Sequence, residues 1–193
     1  MDNPYLLNAS LYLIEAVFGL YLMLLMLRFL LQLVRADFHN PVSQFMVKAT
    51  NPLLRPLRRI IPGLAGIDLA SVVLLFAIQA LELGLLNLAS GISVDAGALA
   101  VISIARLVNL LLTIYLITIL IQVILSWVGP QAYNPVVSLL YSLNEPVLRP
   151  ARRILPPFSG IDLSPLIVLV VIQLLKILVV APIADLGRAL TMG

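Results

Sequence analysis

The chain has 193 residues, of which 62% are hydrophobic and only 11% charged, with a net charge of +3 and no cysteine. Soluble domains are about 45–50% apolar and about 25% charged, so an ordinary water-soluble surface is excluded. The missing thiol also excludes disulfides, thiolate metal sites and cysteine nucleophiles. A pI near 9.5 would suggest nucleic acid in a soluble protein; here the twelve cations are read as orienting membrane loops, and no nucleic-acid partner is expected.

The N-terminal tail, residues 1–10, lacks the positive n-region of a secretory signal, so the first hydrophobic helix is expected to stay in the mature protein. From Leu11 to Val34 runs an apolar stretch long enough to span a bilayer. It carries Glu15 near its start and Arg28 toward its end, the latter read as snorkelling toward the interface near Arg35.

From Pro41 to Ile61, apolar Val42, Phe45, Met46, Ala49, Leu53, Leu57 and Ile60 recur every three or four residues. Gln44, Lys48, Asn51, Arg55 and Arg58 fall on the opposite stripe. That pattern predicts an amphipathic helix in the membrane interface. Because an internal proline removes a donor and clashes with the preceding turn, Pro52 and Pro56 predict two short helices, with Asn51 capping the second.

Leu69 to Leu88 is the second span, which Asp68 is placed to cap. A cation-free loop, residues 89–98, leads to the third span within Leu99 to Val128, where Arg106 and Asn109 come early and Trp127 marks the far interface. Pro135 to Leu155 repeats the amphipathic segment. The fourth span runs to about Ala181, with Ser164 as its candidate cap and Pro165 at its first position; residues 182–193 form the tail.

The chain is written twice. NPLLRPLRRIIPGLAGID, Asn51 to Asp68, returns as EPVLRPARRILPPFSGID, Glu145 to Asp162. Pro52, Arg55, Pro56, Arg58, Arg59, Pro62, Gly66 and Asp68 recur as Pro146, Arg149, Pro150, Arg152, Arg153, Pro156, Gly160 and Asp162, each 94 residues on (146 − 52). The same offset joins Asn40-Pro41 to Asn134-Pro135, Tyr21 to Tyr115 and Gln79 to Gln173. The fold class is therefore an all-α integral membrane protein: four transmembrane helices in two tandem two-span repeats, residues 11–88 and 99–181, each with a kinked amphipathic interfacial helix between its spans.

Cations set the topology. Arg35, Lys48, Arg55, Arg58 and Arg59 lie between spans one and two, and Arg149, Arg152 and Arg153 between three and four. Both motif loops are expected to be cytoplasmic and both termini outside, with the repeats related by a pseudo-twofold axis along the membrane normal.

Two constellations carry chemistry. The Arg-Pro-x-Arg-Arg motifs display guanidinium groups suited to phosphate or carboxylate, which serves anchoring on anionic headgroups or binding of a membrane or cytoplasmic protein. Asp68 and Asp162 either cap the following spans or reach back to the arginines of their own repeat. Glu15, Glu82, Arg106 and Lys176 fall in the outer half of the bilayer, where charges need partners or water. Glu82 and Lys176 are repeat equivalents and candidates to pair directly, with Gln79 and Gln173 one turn before them. Lone His39 is read as a surface residue. No metal, cofactor, nucleophilic triad or glycine-rich phosphate loop is indicated, so no enzymatic activity is expected.

The doubled motif between spans resembles the YggT family, over roughly Leu11 to Ala181. The resemblance implies a small protein of the bacterial inner membrane linked to osmotic-shock tolerance and potassium homeostasis. Plastid relatives are linked to haem attachment in cytochrome b6f assembly, and some bacterial members are encoded near division genes. The leading expectation is a non-enzymatic protein whose motifs bind a partner or lipid. The alternatives are a potassium-linked pathway in a homo-oligomer, lined by Glu15 and Glu82, and an assembly factor for a membrane complex.

Overall fold

The computed structural model describes residues 4–64, 66–93, 95–128, 134–155 and 162–192. Pro156 and Gly160 of the second motif lie outside them. The order is α1 (Pro4–Leu33), α2 (Pro41–Ile60), α3 (Leu69–Ala89), α4 (Ala96–Val128), α5 (Pro135–Ile154), α6 (Ser164–Leu175), a π-helical turn (Lys176–Val180) and α7 (Ala181–Met192). Helices α1, α3, α4 and the continuous segment Ser164–Thr191 are each long and apolar enough to cross a membrane. Chain connectivity puts α2 and α5 on one membrane face and both ends of the chain on the other.

Helix α3 is the central element: 44% of its apolar window is buried, against 17% for Ser164–Thr191. It packs against α1 and α4, while α4 packs most extensively along α7. Leu22, Leu25, Leu30, Leu75, Ile119 and Leu148 are among the most buried residues of one continuous core. The exposed faces of the spans are themselves apolar, as Val72, Leu81, Ile117, Ile124 and Val170 illustrate. With no water to avoid, lipid-facing surface has no reason to become polar.

Helix α2 is a single helix through Pro52 and Pro56, which corrects the expectation of two short ones. At about 100° per residue, its surface divides into three stripes. Ser43, Met46, Thr50 and Leu54 are buried against the spans; Phe45, Leu53 and Ile60 are exposed apolar residues; Lys48, Arg55 and Arg59 form an exposed cationic stripe. Both prolines are exposed at the edge of that cationic stripe. The carbonyls they leave without donors, those of Lys48 and Pro52, therefore face outward, where water or headgroups can satisfy them. The cap is Asn40, whose Oδ1 accepts from the Ser43 amide at 2.9 Å, with Pro41 at the first position; Asn51 has another role. Helix α5 repeats the arrangement, running through Pro146 and Pro150 with Asn134 as its cap.

Two further boundaries differ from expectation. Helix α1 begins at Pro4 rather than near Leu11, and helix continues past Ala181 to Met192. Pro182 has no amide to donate and its ring crowds the preceding turn. The chain widens there instead of breaking: the Ala181 amide donates to Lys176, five residues back.

Candidate functional site

At the junction of α1 and α2, Arg28 is buried to 4% exposure and does not snorkel. Its Nη1 donates to Thr50 Oγ1 and to the Val47 carbonyl at 3.3 Å, and its Nη2 donates to Asn51 Oδ1 at 3.0 Å. The guanidinium thus fastens the interfacial helix to the first span through neutral oxygens. Arg28 has no carboxylate within ion-pair distance among the described residues.

The equivalent place in the second repeat is also polar but neutral. Asn144 Nδ2 donates to Gln122 Oε1 at 2.8 Å, and Thr118 Oγ1 donates to Asn144 Oδ1 at 2.8 Å. Gln122 stands 94 residues after Arg28, and Asn144 the same distance after Thr50. A latch of this kind was missed from sequence, although the offset aligns two polar positions inside two spans and so carries a signal for it.

A few residues on, the motif arginines separate into two classes. Arg58 donates from Nε and Nη2 to Asp68 Oδ2, the former at 3.2 Å, and from Nη2 to Gln32 Oε1 at 3.1 Å. Ser71 Oγ also donates to Asp68 Oδ2. Asp68 occupies the cap position of α3 but its side chain makes no capping bond; the brace to Arg58 takes the carboxylate instead. Burial alone would raise this carboxyl, but the Arg58 and Ser71 hydrogen bonds and the Arg58 charge outweigh it and hold it below the usual range.

In the second repeat Arg152 donates from Nε to Asp162 Oδ2 at 2.9 Å and from Nη1 to Glu145 Oε2 at 2.7 Å. The Ser164 amide donates to Asp162 Oδ1 at 2.9 Å, so Asp162 supports the start of α6. Ser164 is not the cap; its Oγ is buried with no partner among the described residues. Burial of Asp162 works against its ionisation, and the Ser164 and Arg152 contacts reverse the balance and lower its pKa. This brace is looser: the Asp162 side chain is 35% exposed against 6% for Asp68. A cavity of about 850 Å³ beside it opens between α4, α5 and α6.

Arg55, Arg59, Arg149 and Arg153 are exposed, and none has a hydrogen bond or ion pair among the described residues. Gly66, with φ +84°, supplies the left-handed turn by which the chain leaves α2, beyond Pro62, and reaches Asp68. Together the braces turn Arg58 and Arg152 inward and leave four guanidiniums on the outer side of the two interfacial helices.

The intramembrane charges do not pair as their repeat positions suggest. Lys176 Nζ donates to Thr113 Oγ1 at 2.6 Å, while Glu82 accepts from Gln79 Nε2 at 2.6 Å and faces Arg106 Nη1 at 3.8 Å. The π-helical turn begins at Lys176, so its equivalence to Glu82 ends there. Gln173 and Glu15 are exposed, with no hydrogen bond among the described residues. His39 lies outside the spans beside Asp37, at 2.8 Å, and no group of three potential metal ligands occurs among the described residues.

Four membrane-crossing segments and a braced interfacial helix in each half define an α-helical multi-pass membrane protein built from a tandem repeat. The family model described as CCB3/YggT matches residues 7–89 and again 101–183. The chain belongs to the CCB3/YggT family. The uncharacterized protein PA0392 of Pseudomonas aeruginosa is 45% identical over 179 residues, 92% of this chain and 91% of that one. The uncharacterized protein YggT of Escherichia coli is 36% identical over 190 residues, 97% of each. A Vibrio alginolyticus protein described by its position in the proC 3′ region is 42% identical over 172 residues, 86% of this chain and 91% of that one. No solved structure matches.

Proposed function

We propose that this is a non-enzymatic inner-membrane protein whose two interfacial helices present a cationic surface to an anionic partner, in support of osmotic-stress tolerance. The observation that carries this reading is the separation of the motif arginines. Arg58 and Arg152 are held by Asp68 and Asp162, while Arg55, Arg59, Arg149 and Arg153 keep their donors free on the outer side. Exposed guanidiniums on a rigid helix suit carboxylate or phosphate oxygens, found on an acidic protein face and on anionic headgroups alike. The cation distribution supports a cytoplasmic placement of this surface.

A potassium pathway is less well supported. Glu82, its best candidate ligand, is buried, accepts a hydrogen bond from Gln79 and is ion-paired with Arg106 at 3.8 Å. The assembly-factor reading is one form of the partner reading, since a membrane complex is a partner too.

The test is a variant with Arg55, Arg59, Arg149 and Arg153 all changed to Gln, expressed in cells lacking the wild-type protein. Crosslinking and co-purification are expected to lose the partner, and survival of an osmotic upshift to fall, at unchanged membrane abundance. Unchanged survival and an unchanged set of crosslinks would sink the reading.

A further inference from the structure

On the face opposite the interfacial helices, a cavity of about 420 Å³ lies between α3, α4 and α7. Its polar lining is Arg106, Arg188, Asn87, Asn109 and Thr191, with no acid among them. From the geometry we infer that this cavity binds one anionic phospholipid of the terminus-side leaflet, its phosphate held between Arg106 and Arg188. The proposal is independent of the surface formed by α2 and α5.

Depth is the first argument. Arg106 and Trp127 are 21 residues apart on α4 (127 − 106), which is about 32 Å of helix, close to the hydrocarbon thickness of about 30 Å. Trp127 is 85% exposed, as suits an anchor at one interface. Arg106 then stands at the level of the other, where phosphates lie.

The second argument is free donor capacity. Arg106 forms an ion pair with Glu82 at 3.8 Å, too long for a hydrogen bond, so its charge is partly balanced while its N–H donors have no hydrogen-bond acceptor among the described residues. Arg188 meets Asp185 at 2.8 Å, but both side chains are more than two-thirds exposed, and such an i,i+3 pair yields easily to a stronger anion. The side-chain amides of Asn87 and Asn109 have no hydrogen-bond partner among the described residues. Thr191 donates to its own helix, to the Arg188 carbonyl, and contributes bulk only. Glu15 lies close enough to act on Glu82, so Arg106, Arg188 and Lys176 are balanced by Glu15, Glu82 and Asp185 (3 − 3), and the attraction for an anion comes from the two arginines in the lining rather than from net charge.

The wall decides between lipid and free anion. Leu83, Ile102, Val180 and Ala184 give the cavity an apolar wall. A free phosphate would leave that wall in water; a diacyl phospholipid covers it with its upper methylenes. The π-helical turn that ends at Val180 and the close approach of Gly187 to Ile102 set the position of α7, and with it Arg188.

The experiment is native mass spectrometry of the full chain released from detergent, in the background lacking Arg55, Arg59, Arg149 and Arg153 so that the opposite face is silent. The protein is titrated with phosphatidylglycerol, with phosphatidylcholine of the same chain length, or with phosphatidylglycerol plus inorganic phosphate. One tightly held phosphatidylglycerol is expected. At about 1 kcal/mol per cation, its affinity should fall about fivefold in R188Q and about thirtyfold in R106Q/R188Q. Because Arg188 is exposed, R188Q retains the fold, which helicity by circular dichroism verifies. Equal affinity for phosphatidylcholine, displacement by equimolar phosphate, or unchanged affinity in a folded R188Q would each overturn the assignment.

Discussion

Arg28 and Gln122 occupy the same place in the two halves of the chain, 94 residues apart, and each ties its span to the interfacial helix that follows. In the first half a buried cation grips Thr50 and Asn51. In the second, Gln122 accepts from Asn144. The duplication has kept the junction and changed its chemistry, so the first junction depends on a buried charge and the second does not.

Thr50→Ala should destabilise the protein by about 1–3 kcal/mol, because it leaves part of a buried guanidinium without an acceptor. Asn144→Ala leaves the buried Gln122 and Thr118 without their partner and should cost about 1–2 kcal/mol, toward the lower end because the groups it orphans are neutral. Grafting the second junction into the first, as Arg28→Gln with Thr50→Asn, should recover much of what Arg28→Gln alone loses. Unfolding midpoints in a fixed detergent measure all four variants, and a graft no better than Arg28→Gln would show that the junctions are not interchangeable.

The two braces should differ in the same measurement. Asp68→Asn removes a nearly buried carboxylate from Arg58, Ser71 and their shared contact, with an expected loss of about 1–3 kcal/mol. Asp162→Asn breaks a pair that water already screens, with an expected loss below about 1 kcal/mol. Equal losses would mean that the greater burial of Asp68 has no energetic consequence.

Acid should reveal the same carboxylates. Both Asp68 and Asp162 have folded pKa values below their ordinary one, near 3.9 in the unfolded chain. Their contribution is therefore complete above about pH 4 and disappears as pH falls through the folded values. Unfolding midpoints should be level between about pH 5 and 7 and drop below about pH 4, and Asp68→Asn should flatten that drop. The same slope in Asp68→Asn would assign the acid loss to other groups.

Packing of the last helix rests on Gly187. A Cβ there would stand 2.5 Å from Ile102 Cγ1 and 3.2 Å from the Ile102 amide nitrogen. Gly187→Ala should cost about 1–3 kcal/mol by overpacking, and adding Ile102→Ala should restore only part of it, since the backbone contact remains. Thermal unfolding of the two variants is the check.

The sequence made the architecture legible because two independent periods agree in it: the 94-residue offset, and the 3.6-residue recurrence that sorted α2 into apolar and cationic sides. It was less informative where a rule about one residue met a neighbour's geometry. Each proline alone argues for a break, yet a spacing of four turns both freed carbonyls of α2 to the same outward side. Arg28 near a span end reads as a snorkelling cation unless the rotation of α1 about its axis is known. The equivalence of Glu82 and Lys176 was visible, but the wide turn that Pro182 imposes six residues downstream was not. The arginines looked alike in the sequence; only the positions of Asp68 and Asp162 divide them.

That division is the centre of the account, and one paired measurement tests it. The variant with Arg55, Arg59, Arg149 and Arg153 changed to Gln is compared with Arg58→Gln/Arg152→Gln for unfolding midpoint and for survival of an osmotic upshift. The account predicts that the first keeps its midpoint and loses survival, while the second loses midpoint by releasing Asp68 and Asp162. Full survival with the first variant, or an unchanged midpoint with the second, would contradict it.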